Sequence, residues 1–454
     1  MTITNDDVKY VIVQAGGKGT RMSHFAENKP KCLVPVNDIP MIVNTLNVYK
    51  DKEVIIIADY KADVLEKYLK TFYKGHNYWV HRTTESGTAG GLKKAVSLIP
   101  DNEPFILTWA DLFFEEISEF AFENELLVGL SDSFKCRWKL EDNKFVNEAS
   151  TEVGVAGFFV FSDKSKFNKL KIDRSLVRGF LTDNYLPENI DSFYLNRCFE
   201  VGEIDRYEEF LSNRTNHRFF NEVKIEKDTV YKRCIIPEYD DVHQNEKDWY
   251  QCVSNKFKNI PQIYSIDPLI LERINGKHLW EVDNNKDEII SNYCDALGSL
   301  HIIKRVIANT KDSIDVYFTK AYNRISEVKD VIPFIDSSII KINGKECRNP
   351  FVNEVEFEKS IRSIVDQKHY NMIHGDVTFS NTLVDSNNNI WLIDPRGSFG
   401  SSKIYGDYRY DWAKFYYSAV GNYDSINSKK YRVIFHPDDI ELRIKSNGYE
   451  EYSD

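Results

Sequence analysis

Apolar and polar positions follow a repeating order through the first hundred or so residues. Residues 8–14 (Val-Lys-Tyr-Val-Ile-Val-Gln) form a short β-branched run that breaks into glycine-rich sequence, the pattern of a buried parallel strand feeding a loop. Residues 53–58 repeat it, and a helix-like stretch follows from Lys61 to Phe72. Another buried run, Phe105 to Thr108, ends at Trp109, Ala110 and Asp111. Strands alternating with helices predict an α/β sheet with a parallel core, which binds ligands at the carboxyl ends of its strands.

The character changes after Phe210. Residues 212–217 (Ser-Asn-Arg-Thr-Asn-His) are polar and turn-forming, which places a boundary between a first domain, 1–214, and a second, 215–454. Beyond it, residues 223–236 alternate like exposed antiparallel strands joined at Lys227 and Asp228. A helical region from Asp287 to Arg305 follows, then a loop-rich block from His374 to Gly400. The tail after Tyr423 is polar and shows no pattern.

Composition adds boundaries. A chain of 454 residues exceeds one ordinary core, and 42% hydrophobic with 28% charged residues is a folding composition. The net charge of -11 argues against a nucleic-acid partner, which calls for a basic surface. No apolar run nears the ~18 residues of a membrane span, and Met1–Asp7 is polar, so a cytoplasmic location without membrane partners is expected. Seven scattered cysteines without a C-x-x-C pair read as reduced thiols. Oligomeric state is left open.

The first candidate site is Gln14-Ala15-Gly16-Gly17-Lys18-Gly19-Thr20-Arg21, directly after the first strand. Glycines there let backbone N–H groups approach triphosphate oxygens, and Arg21 adds a cation that forks onto phosphate. Lys31, behind the stiff Pro30, brings a second cation to the same phosphates. A glycine loop alone is more often an ordinary turn. Here G-G-x-G-T-R, K-P-K-x-L-x-P-V and P-M-I follow in order, and the stretch 8–211 resembles the sugar-phosphate nucleotidyltransferases.

That resemblance implies a Rossmann-like α/β fold and the joining of an NTP to a sugar or alcohol phosphate with release of pyrophosphate. It makes Arg21 and Lys31 catalytic, and Gln14, Ala15, Gly16, Gly17, Gly19 and Thr20 nucleotide-binding. Glu85, Gly87, Thr88 and Ala89 lie in a G-T-A-G-like segment, which implies nucleotide binding for them too. It implies a metal at Asp111, held as Mg²⁺ or Mn²⁺ with a second carboxylate. Glu200 is the candidate, in a stretch departing from the family's Asp-Ile-Gly-Thr-Pro, with Asp205 its rival.

The second candidate site reads Ile373-His374-Gly375-Asp376, then Asn381, then Ile393-Asp394. An aspartate that orients an acceptor hydroxyl, an amide five residues on and an aspartate after the next strand are the working parts of a kinase. The H-G-D-x-x-x-x-N-x-L-x(9)-I-D pattern resembles aminoglycoside phosphotransferases and choline kinases. The resemblance covers 217–425 and implies an α+β protein-kinase-like domain. Asp376 becomes catalytic, and Asn381 and Asp394 become metal ligands. Lys232 takes the ATP phosphates, with Lys224 and Lys227 as competitors, and Glu246 is its ion-pair partner. Glu272 belongs to the adenine hinge, His301 is structural, Asp411 caps or braces the catalytic loop, and Arg396 is placed to touch an anionic or hydroxyl-rich acceptor.

Two such sites suggest consecutive steps using ATP and a second NTP: phosphorylation of a free sugar, then its conversion to an NDP-sugar for surface polysaccharide. The alternatives are choline or a polyol with CTP, or one half serving as a non-catalytic binding module.

Overall fold

The computed structural model describes residues 2–36, 38–84, 91–116, 119–165, 167, 190–212 and 221–452. The chain divides into two compact units, Met1–Thr215 and Asn216–Asp454.

In the first unit the apolar runs become the middle of a nine-stranded sheet among the described residues. Strand β1 (Tyr10–Gln14) lies parallel between β2 (Glu53–Ala58) and Phe105–Trp109, and Tyr78–Arg82 extends the parallel part beyond β2. Gly154–Phe161 closes the other side in antiparallel register. Alternation explains why the central strands are apolar throughout. Val11, Val13 and Ile56 face one core with Leu46, Leu65 and Leu69 of the helices Met41–Val48 and Ala62–Phe72. Ile12, Ile55, Ile57 and Leu107 face another with Leu92 and Val96 of the helix Leu92–Ser97. Each leucine so buried contributes roughly 1.5–3 kcal/mol, and the cover on both faces leaves the strand ends as the place for chemistry.

The second unit opens on a four-stranded antiparallel sheet ordered Asn221–Ile225, Thr229–Cys234, Leu269–Glu272, Ile263–Ile266. The helix Asp240–Val253 follows the hairpin and buries Trp249, Tyr250 and Val253. The remainder is built on the helix Lys286–His301, whose Ile289, Tyr293, Leu297 and Leu300 are buried at helical spacing.

Two expectations are corrected here. The helix ends at His301 rather than Arg305, because Arg305–Ile307 pairs as a strand with His369–Met372. The patternless tail is built structure. Tyr431–Phe435 and Ile440–Ile444 form a hairpin, and Tyr449 is fully buried, its hydroxyl donating to the Val282 carbonyl at 2.9 Å. Its anchors are single residues among polar ones, which periodicity does not reveal. Among the described residues no helix is long and apolar enough to cross a membrane.

Candidate functional site

In the first unit the loop after β1 is tied down at both ends. The Ala15 N–H donates to the Ile57 carbonyl at 2.9 Å, and Gly16 runs so close to Asp59 that an added Cβ would lie 3.1 Å from its Cβ. Gly19 has a left-handed φ of 68°, and a Cβ there would come 2.7 Å from Ala26 and 3.0 Å from Lys31. Only glycine holds that turn without strain, and the turn lets the chain return to Lys31 at the start of the short 3₁₀ turn Lys31–Leu33.

Lys31 Nζ pairs with Asp111 Oδ2, both side chains being largely buried. Directly after Asp111, Leu112–Phe114 pairs antiparallel with Cys198–Glu200, Leu112 opposite Glu200, so this two-stranded ladder sets Glu200 beside Asp111. Glu200 Oε1 accepts from the Gly202 N–H at 3.0 Å, and Oε2 pairs with Arg206. Burial first, then the neighbouring Asp111 charge, pushes the Glu200 carboxyl above its usual range, with Arg206 and Lys31 opposing. A Cβ on Gly202 would run into Lys31 Nζ, Glu200 Oε1 and Asp111 Oδ2 together. The glycine keeps a small space open among one cation and two carboxylates.

Asp111 Oδ1 is buried with no hydrogen-bond partner among the described residues. A desolvated carboxylate oxygen beside a second carboxylate suits a divalent cation, and Mg²⁺ characteristically takes one or two carboxylates plus substrate phosphates. The described residues contain no group of three or more His, Cys, Asp or Glu suited to a metal. Asp205, the rival, is exposed on the helix Ile204–Ser212. Arg21 is mostly exposed and pairs with Glu203. Glu85, Gly87, Thr88 and Ala89 lie outside the described residues.

In the second unit Lys232 sits on Thr229–Cys234, opposite Leu269. Its ammonium reaches Glu246 Oε1 of the following helix at 2.7 Å and Asp394 Oδ1 at 3.0 Å. Burial works against the charge, but Asp394 and Glu246 outweigh it and hold Lys232 protonated. Lys224 is exposed and pairs with Glu222, and Lys227 is exposed in the turn. Glu272 ends its strand with Oε2 accepting from the Gln262 N–H at 3.1 Å.

The loop carrying Asp376 is fixed from beneath. Asp411, fully buried, accepts from the His374 and Gly375 N–H groups at 2.9 and 2.8 Å and lies 3.0 Å from His301 Nε2. The Trp249 indole donates to the Ile373 carbonyl at 2.7 Å. Asn381 Nδ2 donates to the Asp376 carbonyl at 2.9 Å, and the Ile393 N–H returns to the Asn381 carbonyl at 3.0 Å. Asp394 holds a left-handed φ of 56°, a conformation that aspartate adopts more readily than most non-glycine residues. Lys232 is thus tied to Asp394, and the residue before Asp394 to Asn381, which holds Asp376.

Sequence reasoning missed Lys414, whose Nζ lies 3.0 Å from Asp376 Oδ1. One signal was present, since Lys414 follows Asp411 at i+3 on one helix face. It also missed Arg206, whose partner appears only once the Glu200 ladder forms.

Comparison with known proteins places the first unit. Residues 11–119 match the profile of the MobA-like NTP transferase domain. The D-glycero-alpha-D-manno-heptose 1-phosphate guanylyltransferase of Campylobacter jejuni is 24% identical over 227 residues, 44% of this chain and 98% of that protein. A mannose-1-phosphate guanyltransferase of Aspergillus oryzae is 31% identical over 120 residues, 24% of this chain and 33% of that protein. The chain thus spans nearly all of the first relative and a third of the second. The crystal structure of HddC from Yersinia pseudotuberculosis aligns with a TM-score of 0.38 at 18% identity, covering 45% of this chain and 99% of that one. The N-terminal part of the chain is a nucleotidyltransferase domain of the MobA-like type.

Proposed function

We propose that the chain is a bifunctional cytoplasmic transferase that phosphorylates a hydroxylated substrate of the sugar type with ATP and joins a sugar phosphate to an NTP. The reading rests on one observation: a chain with a nucleotidyltransferase domain also carries Lys232 between Glu246 and Asp394 in a unit where Asn381 holds Asp376. In the second unit the acceptor hydroxyl oxygen attacks the γ-phosphorus and ADP leaves. Asp376 orients that hydroxyl and takes its proton, while Lys232 neutralises phosphate charge. In the first unit a phosphate-monoester oxygen attacks the α-phosphorus of an NTP and pyrophosphate leaves, with Lys31 and the Gly16–Gly19 loop aligning the chain of phosphates. Asp111 and Glu200 would hold Mg²⁺ or Mn²⁺ in one site, Asn381 and Asp394 in the other. The ion would neutralise phosphate charge as bonds form and break.

GTP is the first NTP to test, since both relatives named above are guanylyltransferases, and supply of a surface-polysaccharide precursor is the fitting role. The test is ³¹P NMR on parent, Lys31→Ala and Asp376→Ala proteins. Lys31→Ala should lose pyrophosphate release yet keep ADP formation, and Asp376→Ala should do the reverse. A folded variant that loses both reactions sinks the two-site reading.

A further inference from the structure

Besides Lys232, two further basic side chains lie at the loop that carries Asp376. Lys414, on the helix Arg409–Ala419, pairs with Asp376 and lies 5.9 and 5.5 Å from the Tyr410 and Tyr417 ring centres. The Arg396 N–H donates to the His374 carbonyl at 2.9 Å, and the first carbon of its side chain lies against Gly375, 3.1 Å from where a Cβ would stand. The stem of this half-buried arginine thus runs along Gly375, the residue preceding Asp376.

A third element adds Lys320 and Arg324, one turn apart at the start of the helix Lys320–Val328. This helix continues from a π-helical turn, Asp315–Thr319, itself continuing from Thr310–Ile314. Such turns break helical regularity and recur at functional sites. The segment is locked to the loop beyond Arg396. Asp312 is buried and accepts from the Ser401 and Ser402 N–H groups at 3.0 and 2.9 Å and from both hydroxyls. Lys320 is exposed, three residues after Tyr317, whose ring lies 6.0 Å from that of Tyr410, the ring beside Lys414; desolvation first and then Arg396, Arg324 and Lys414 push its ammonium down to about 8. The charges that act on it are all positive. No carboxylate among the described residues forms an ion pair with Lys320, Arg324 or Arg396.

We infer that the acceptor of the second site already carries an anionic group, a phosphate or carboxylate, which Lys320 and Arg396 bind while its hydroxyl meets Asp376. The inference rests on the kinase reading and narrows its substrate class. Cations on two elements, Lys320 with Arg324 on the helix and Arg396 on the loop, repel one another and are completed by a ligand's negative charge. They repel a quaternary ammonium or an aminoglycoside, so choline is the wrong acceptor.

The test measures ADP formation by the full chain with ATP and Mg²⁺ on a neutral hexose, the matching hexose 6-phosphate, the matching hexuronate, and choline. The expected result is a kcat/KM at least tenfold higher for one of the two anions, and which of them wins separates phosphate from carboxylate. Lys320→Gln and Arg396→Gln should each raise KM for that anion about tenfold to a hundredfold, the worth of one charge-assisted hydrogen bond, with KM for ATP unchanged. Lys320→Arg should restore it. A neutral or cationic acceptor used as well as the anions overturns the inference and leaves the kinase reading standing. So does a rise in KM for ATP alone, which would assign the cations to the nucleotide. No ADP from any acceptor overturns the inference, and a melting temperature unmoved by ATP with Mg²⁺ then overturns the kinase reading as well.

Discussion

Replacing Gly202 by alanine adds one methyl group at the point where Lys31, Asp111 and Glu200 converge. All three atoms it meets are tips of side chains, and Gly202 lies outside the left-handed region, so the backbone accepts the change. Two consequences separate cleanly. Stability should barely move. Gly→Ala at a compatible position contributes roughly 0.4–1 kcal/mol through the unfolded chain, and the displaced tips offset part of that. The net effect is a melting shift of about 2–4 °C or less for a unit of this size. Catalysis should fall steeply, because the methyl group occupies the space where phosphate and cation must meet. A displacement of about 1 Å costs on the order of 10²-fold, and a rate lower by 10²–10³ corresponds to about 2.7–4 kcal/mol of lost transition-state stabilisation. The assay is pyrophosphate release from an NTP and a panel of sugar 1-phosphates, beside a thermal melt. A kcat/KM within twofold of the parent would show that the reacting groups lie elsewhere. A melting drop of about 8 °C or more would show that the backbone, and not only side-chain tips, gives way.

Other outcomes follow from buried groups. Asp411→Ala strips partners from two N–H groups and His301, and should cost the second unit about 3–5 kcal/mol in denaturant unfolding; an unchanged midpoint would refute that account. Tyr449→Ala should cost roughly 3–5 kcal/mol by opening a void in the core, read in the same experiment. Cys32 and Cys136 are buried thiols pushed up to about 12 by burial, and burial also raises Cys198. All three should resist an aromatic disulfide reagent in the native chain and react in denaturant. Rapid native labelling of Cys32 would contradict its packing under the Lys31 turn.

The sequence was legible where chemistry is encoded at short range. A strand followed by Gly16–Gly19 and Lys31 lies within one stretch, as do His374, Asp376, Asn381 and Asp394, so spacing alone brings them together. Glu246 follows Lys232 by little more than a hairpin and the start of a helix. What was hidden depends on docking between distant segments. The segment leading into Lys320 is held at the loop beyond Arg396 by Asp312, on the preceding helix Thr310–Ile314, which binds Ser401 and Ser402, 89 and 90 residues away. Arg21 looked like a free phosphate cation because its partner, Glu203, lies 182 residues off. Tyr449 carries a polar hydroxyl in a polar tail, and only the folded core that takes its ring and the Val282 carbonyl that takes its hydroxyl show why it is inside.

Asp411 has one further implication. A single carboxylate on the helix Arg409–Ala419 anchors both the His374–Gly375 turn and the end of the helix Lys286–His301. The same helix carries Lys414 to Asp376, so lifting it away unfastens the turn and strips Asp376 of its counter-charge in one event. Mild heating should therefore silence this pocket abruptly, while most of the unit's secondary structure is still intact.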